Sequence, residues 1–303
     1  MTKVKLWRAL IAMALAVAAL AVAACGDDDD DDGGGNGGGG GGAQTEEAQQ
    51  FPAGSTMAKI QDRGEITIGV KYDVPPFGLK NPQSGEIEGF DVDMGKFIAE
   101  ELGVEPKFVE AISDNRIPFL QKGEVDLILS TMTINQERDT EIEFSEPYYV
   151  ARGRILVPGD SDIKGIEDLA GKKVCTALGS TYEETLREQA PDADLTLVDT
   201  YSECLELLQN GAIDAISTDD VILTGMIIQD DTLKMVGDEL TTEPYGAGIK
   251  EGDKEFQTFV SDTLEAAQAD GRWEEAFQKW VGQYTNQQTP PPDMTLKEAL
   301  ALG

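Results

Sequence analysis

No histidine occurs anywhere in the 303 residues, and 24 Lys and Arg face 57 Asp and Glu, for a formal net charge of -33. The first lack removes the commonest general base and metal ligand, so hydrolase and metalloenzyme chemistry loses support and no cofactor or metal is expected. The second argues against nucleic acid as a partner, because a surface this acidic repels phosphate. Cysteine is scarce too, with only Cys25, Cys175 and Cys204. Long apolar runs are also few. The clearest spans residues 9–24, behind Lys3, Lys5 and Arg8. That run matches the core of a secretory signal and is short for a membrane span.

The apolar run ends Val22-Ala23-Ala24-Cys25-Gly26. Small residues before a cysteine resemble a bacterial lipobox, which implies a signal peptide over residues 1–24, lipid on Cys25 and a protein tethered to the outer face of the membrane. An uncleaved anchor is the alternative. In an oxidising compartment Cys175 and Cys204 then remain as an even pair, for which a disulfide is expected and two buried thiols are the alternative. Residues 25–56 include a run of aspartates and a run of glycines. Such a composition cannot bury a core, and it predicts a flexible tether.

Beyond residue 56 the chain is rich in α/β signals. Residues 125–129 read as a buried strand that ends in Ser130, Thr131 and Thr133, followed by a short polar helix carrying Arg138. Hydroxyls and backbone N–H groups at the carboxyl end of a parallel strand are where open α/β sheets place ligands. The guanidinium one turn further on is a fixed fork suited to a carboxylate. The device recurs: Leu120-Gln121-Lys122-Gly123-Glu124-Val125-Asp126 is echoed by Leu208-Gln209-Asn210-Gly211-Ala212-Ile213-Asp214, whose strand ends in Ser217, Thr218, Asp219 and Asp220. In each copy the glycine suits the left-handed position that closes a helix. Two such units suggest two lobes facing one cleft. Before them, residues 65–71 alternate like a strand and lead into a turn in which Phe77 is expected to be exposed. Asp91 reads as the N-cap of a helix that ends at Gly103. From 166 to 236 strands and helices alternate, as a parallel sheet requires.

The stretch GFDVDMGKFIAEEL (89–102) resembles the extracytoplasmic solute-binding proteins, family 3, that serve polar amino-acid ABC transporters. Gly69-Val70-Lys71, Asp114-Asn115-Arg116, the segment from Glu143 to Tyr149 and Gly179-Ser180-Thr181 follow in the family's order. The resemblance spans about residues 64–283 and is strongest to glutamate- and aspartate-binding members. It implies a periplasmic-binding-protein-like type II fold: lobe one from 57–152 and 246–288, lobe two from 153–245, two crossover segments, and a C-terminal tail over 289–303. It also implies extracytoplasmic binding of an acidic amino acid by hinge closure, a membrane permease as partner, a monomer and no enzymatic activity.

Carried position by position, the resemblance assigns Arg138 to the ligand's α-carboxylate, assisted by Ser130, Thr131, Thr133, Ser180 and Thr181, and Asp219 to its ammonium. Lys71 and Arg116 are assigned to a distal carboxylate. A zwitterion needs both signs, since either charge left unpaired costs several kcal/mol on burial. Glutamine or asparagine is the alternative ligand, because Lys71 and Arg116 can also donate to an amide oxygen. A dehydratase of the same fold is a further alternative. Against it, no carboxylate sits in a recognisably apolar stretch that would raise its pKa. A sensor domain that presents ligand to a receptor is a third.

Overall fold

A computed structural model describes residues 50–285 and 291–302. The expected signal peptide, Cys25 and most of the tether lie outside the described residues. Two sheets carry the chain. In the first, strands run in the order Glu105–Glu110, Glu65–Val70, Leu127–Ile128, Gly248–Lys250 and Ile142–Phe144; the first three are parallel and the last two antiparallel to their neighbours. In the second the order is Asp194–Val198, Lys173–Ala177, Ala215–Asp219, Tyr149–Pro158 and Leu233–Val236, again parallel over the first three. Each sheet is the centre of one α/β lobe.

The repeated strand ends noted in the sequence therefore lie in different lobes. Gly123 (φ 71°) and Gly211 (φ 69°) close their helices in the left-handed region, and the strands Leu127–Ile128 and Ala215–Asp219 follow. Two segments pass between the lobes. Tyr149–Pro158 leaves the first, and Thr242–Tyr245 returns beside it, antiparallel, with Thr242 opposite Arg152 and Tyr245 opposite Tyr149.

Aromatic side chains pack the base of the crossovers. Phe77 has ring centroids 4.9 Å from Tyr149 and 5.6 Å from Tyr245, and Trp273 lies 5.6 Å from Phe90 and 5.2 Å from Phe277. The indole N–H of Trp273 donates to the Tyr148 carbonyl at 2.8 Å, which ties a C-terminal helix of the first lobe to the start of a crossover. Phe77 is thus fully buried, against the expectation of an exposed ring. The small sheet formed by Asp73–Val74, Gly78–Lys80 and Ile87–Glu88 folds the turn back and aims the ring inwards. Each such ring contributes roughly 2–3 kcal/mol of burial.

Local structure differs from expectation at two places. The helix Phe90–Leu102 has its N-cap at Gly89, so Asp91 lies inside the first turn, buried, and caps nothing. The C-terminal helices Lys254–Asp270 and Arg272–Phe277 continue through a π turn, Gln278–Gly282, into Gln283–Thr285. Near the end, Leu296–Leu300 is a short helix with a Thr295–Glu298 capping box, and Ala299 is buried in the first lobe's core. Cys175, on the strand Lys173–Ala177, is bonded to Cys204 on the helix Tyr201–Gln209. The chain between them has a separation of 29, and closing a loop of that size stabilises the second lobe by about 3–4 kcal/mol in the chain-entropy picture. Among the described residues no helix is long and apolar enough to cross a membrane.

Candidate functional site

The first lobe presents its strand end in a constrained form. After Leu127–Ile128, Thr131 takes φ 44°, a left-handed conformation that a β-branched residue adopts only when its surroundings hold it there. Asp91 does the holding. One of its oxygens accepts the Thr131 N–H at 2.8 Å and the other accepts the Tyr148 hydroxyl at 2.7 Å. Burial pushes the Asp91 carboxyl up to about 7, against the pull of these hydrogen bonds and of Lys71 and Arg116.

The two arginines are placed by short helices. Arg138 lies in Gln136–Asp139, whose first turn is capped by the Asn135 side chain accepting the Arg138 N–H at 2.9 Å. Its guanidinium donates to the Thr133 carbonyl at 2.8 Å and to the Gly179 carbonyl at 3.0 Å. Arg116 opens the helix Arg116–Lys122 and gives its donors to the carbonyls of Ser113 (3.1 Å), Ser130 (2.9 Å), Thr131 (3.1 Å) and Gly179 (3.3 Å). Gly179 belongs to the second lobe, so both guanidiniums reach across the cleft. A side chain at Gly179 is excluded, because a Cβ there would stand 2.7 Å from the Asp114 Cα. Burial is the main reason that both arginines hold their protons less firmly than usual, with the mutual repulsion of the pair adding at Arg116.

The second lobe answers with acids and hydroxyls. Asp219 ends its strand at the N-cap position of Asp220–Gln229, yet its side chain makes no capping bond. It accepts the Tyr182 hydroxyl at 2.9 Å instead, and burial, with Glu243 nearby, pushes its carboxyl well above the usual range. Ser180 and Thr181 open the helix Thr181–Gln189, with the Ser180 hydroxyl 3.2 Å from that of Thr176. The fold thus supplies carboxyls of the raised-pKa kind that the sequence had not revealed, Asp91, Asp219 and its neighbour Asp220. Their burial comes from chain segments far away in sequence.

A small cavity lies between the lobes. Arg116, Thr131, Thr133, Arg138, Ser180, Thr181 and Asp219, all singled out in the sequence, line it, together with Ser113, Tyr182 and Tyr201. Lys71 and Ser130 do not. Ser130 turns its hydroxyl back to the Ala111 carbonyl at 2.7 Å, and Lys71 stands behind Ser113, donating to its hydroxyl at 2.9 Å. Burial, then repulsion by Arg116, lowers the Lys71 ammonium to about 7.

Sequence reasoning missed Glu243. It lies on the returning crossover strand Thr242–Tyr245, is 3% exposed, and accepts the hydroxyls of Thr133 at 2.6 Å and Thr181 at 3.0 Å. One threonine comes from each lobe. A carboxylate only accepts, so both threonines donate their protons to it and keep lone pairs free. The single available signal was an acid within an otherwise buried strand. Tyr182 and Tyr201 carried no local signature at all.

The sequence profile described as bacterial extracellular solute-binding proteins, family 3, matches residues 66–283. The chain is 42% identical over 239 residues to the ABC transporter glutamine-binding protein GlnH of Bacillus subtilis (strain 168), spanning 78% of this chain and 88% of that protein. It is 34% identical over 251 residues to the glutamate-binding protein GluB of Corynebacterium efficiens, spanning 77% of this chain and 85% of that one. Among solved structures, an ancestral arginine-binding protein bound to glutamine superposes with a TM-score of 0.70 at 36% identity, covering 73% of this chain and 99% of that chain.

Proposed function

The chain belongs to the bacterial extracellular solute-binding proteins, family 3, and from that premise we propose that it is the extracytoplasmic amino-acid-binding component of an ABC transporter, with glutamine as its ligand. The observation that carries this reading is the charge of the cleft. Arg116, Arg138 and Asp219 line the cavity, and Lys71, Asp91 and Glu243 are buried against its wall residues Ser113, Thr131 and Thr133, so basic and acidic side chains number three of each. Once the ligand's ammonium has drawn Asp219 into its ionised form, a ligand with no net charge leaves the acids and bases of such a site matched, whereas a net charge left buried and unbalanced would cost several kcal/mol. Arg138 takes the α-carboxylate in place of the Gly179 carbonyl, Asp219 takes the ammonium, and Thr131, Thr133, Ser180 and Thr181 supply the remaining polar contacts. The glutamine-binding relative supports the same choice.

Glutamate or aspartate is the second reading, and Lys71 favours it. Among the described residues this buried ammonium makes one hydrogen bond, to Ser113, and no ion pair. It could serve a distal carboxylate. An enzymatic role gains nothing from the raised carboxyls: a ligand ammonium would hold Asp219 in its ionised form, and Asp91, whose oxygens accept the Thr131 N–H and the Tyr148 hydroxyl, does not line the cavity.

Binding proceeds by closure. The lobes are held together by contacts that both make, so a ligand touching Arg138 and Asp219 stabilises the closed arrangement. Cys25, lipidated, would tether the protein beside its permease. Isothermal titration calorimetry on the full chain tests the reading: glutamine is expected to bind most tightly, glutamate and aspartate more weakly, and arginine weakest because it leaves one excess positive charge. Tight arginine binding would reject the charge argument, and tighter glutamate than glutamine would select the second reading.

A further inference from the structure

Lys71 is 2% exposed, and its ammonium lies 5.5 Å from the centroid of the Tyr201 ring. Tyr201 and Ser113 line the cavity while Lys71, over the Tyr201 ring and bonded to the Ser113 hydroxyl, does not, so these two residues stand between the cation and that space. The two residues belong to different lobes. Lys71 follows the strand Glu65–Val70, and Tyr201 opens the helix Tyr201–Gln209, so the cover over Lys71 exists only when the lobes are together.

The start of the helix that carries the ring is held from three directions. Thr200 caps the helix by accepting the Glu203 N–H at 3.4 Å. The next residue, Ser202, donates its N–H to Asp73 of the first lobe at 3.1 Å, two residues beyond Lys71. Three residues on from Tyr201, Cys204 is bonded to Cys175, on the strand that leads into Ser180 and Thr181.

We propose that Tyr201 is a specificity-determining residue: its ring screens the Lys71 ammonium from the ligand's side chain in the closed cleft and so favours an uncharged carboxamide over a carboxylate. The proposal rests on the amino-acid-binding reading and deepens it. A carboxylate must shed its water to enter the cavity, and an ammonium behind a ring returns only a screened attraction, part of it already taken up by the ring's own negative face. A carboxamide sheds less. Removing the ring opens a path to Lys71, where a carboxylate could form a direct charge-assisted hydrogen bond.

The test is calorimetry on the full chain with glutamine and with glutamate, read as the ratio of their dissociation constants. In Tyr201→Ala the ratio is expected to move toward glutamate by about tenfold or more. Tyr201→Phe, which keeps the ring, retains the original ratio. Should the alanine variant fail to fold, Tyr201→Leu keeps the bulk without the ring's charge distribution, and a shift of about threefold in the same direction is expected. Adding Lys71→Met to either variant is expected to cancel the shift, since the effect runs through the ammonium. An unchanged ratio in the alanine or leucine variant, or a shift that survives Lys71→Met, overturns the proposal. Failure of the unaltered chain to bind either amino acid would instead reject the proposed function.

Discussion

Glu243 offers a measurement of how much of the closed state the protein itself supplies. Its carboxylate accepts Thr133 of the first lobe at 2.6 Å and Thr181 of the second at 3.0 Å, with only 3% exposure. A buried hydrogen bond to a charged group contributes about 1.5–3 kcal/mol net. On opening, at least one of the two is lost and water replaces it in part, so the difference between closed and open states is about 1–2 kcal/mol. Glu243→Ala should therefore shift the closed-to-open ratio by about 5- to 30-fold and weaken glutamine binding by up to that factor, because apparent affinity scales with the competent fraction. Glu243→Gln is the informative companion. Its amide oxygen can still accept both hydroxyls, so closure should persist, while one negative charge is gone from beside Arg138 and preference should move toward glutamate. Calorimetry measures the affinity, and small-angle scattering with and without glutamine measures the closure. An alanine variant whose dissociation constant stays within about twofold of the original and whose scattering is unchanged would refute the reasoning.

Asp219→Asn should retain the fold, since an amide oxygen can still accept the Tyr182 hydroxyl, but glutamine binding should fall at least about 100-fold because the ammonium loses its buried partner; a smaller loss with unchanged circular dichroism would remove Asp219 from that role. The same carboxyl titrates unusually high in the empty cleft owing to burial and Glu243, and a bound ammonium favours its ionised form. Binding should therefore release a proton and weaken as pH falls, which calorimetry in buffers of different ionisation enthalpy detects; proton uptake would contradict it. Lys71 has its folded pKa lowered by burial from 10.5 to about 7. Between those values the unfolded chain binds the extra proton, so this group makes the empty protein more stable as pH rises from about 7 toward 10. Lys71→Met should stabilise the ligand-free protein at pH 6 to 7, by an amount on the order of 3 kcal/mol, and flatten that rise. Thermal melts across pH 6 to 10 provide the check, and a variant less stable at pH 6 would count against it.

Why some of this was legible in the sequence and some was not comes down to the distance over which each signal acts. The helices ended by Gly123 and Gly103, the strand Glu65–Val70 and the alternation through the second lobe were readable because periodicity and glycine closure are local. Asp91 was misread for the same reason: an acid after glycine at a helix start looks like a cap, whereas its partners are Thr131, 40 residues on, and Tyr148, 57 residues on. Gly179, Tyr201 and Glu243 acquire meaning only when the lobes meet. The position of Arg138 was legible, yet its partner in the empty cleft, a carbonyl of the second lobe, was not. That carbonyl gives Arg138 a neutral acceptor at the place where a ligand carboxylate would offer a charged one. Exchanging one for the other strengthens the hydrogen bond without moving the guanidinium, since a charged acceptor is worth roughly twice a neutral one. Closure and recognition would then draw on the same fork, so the energy that holds the lobes together passes to the ligand when it binds.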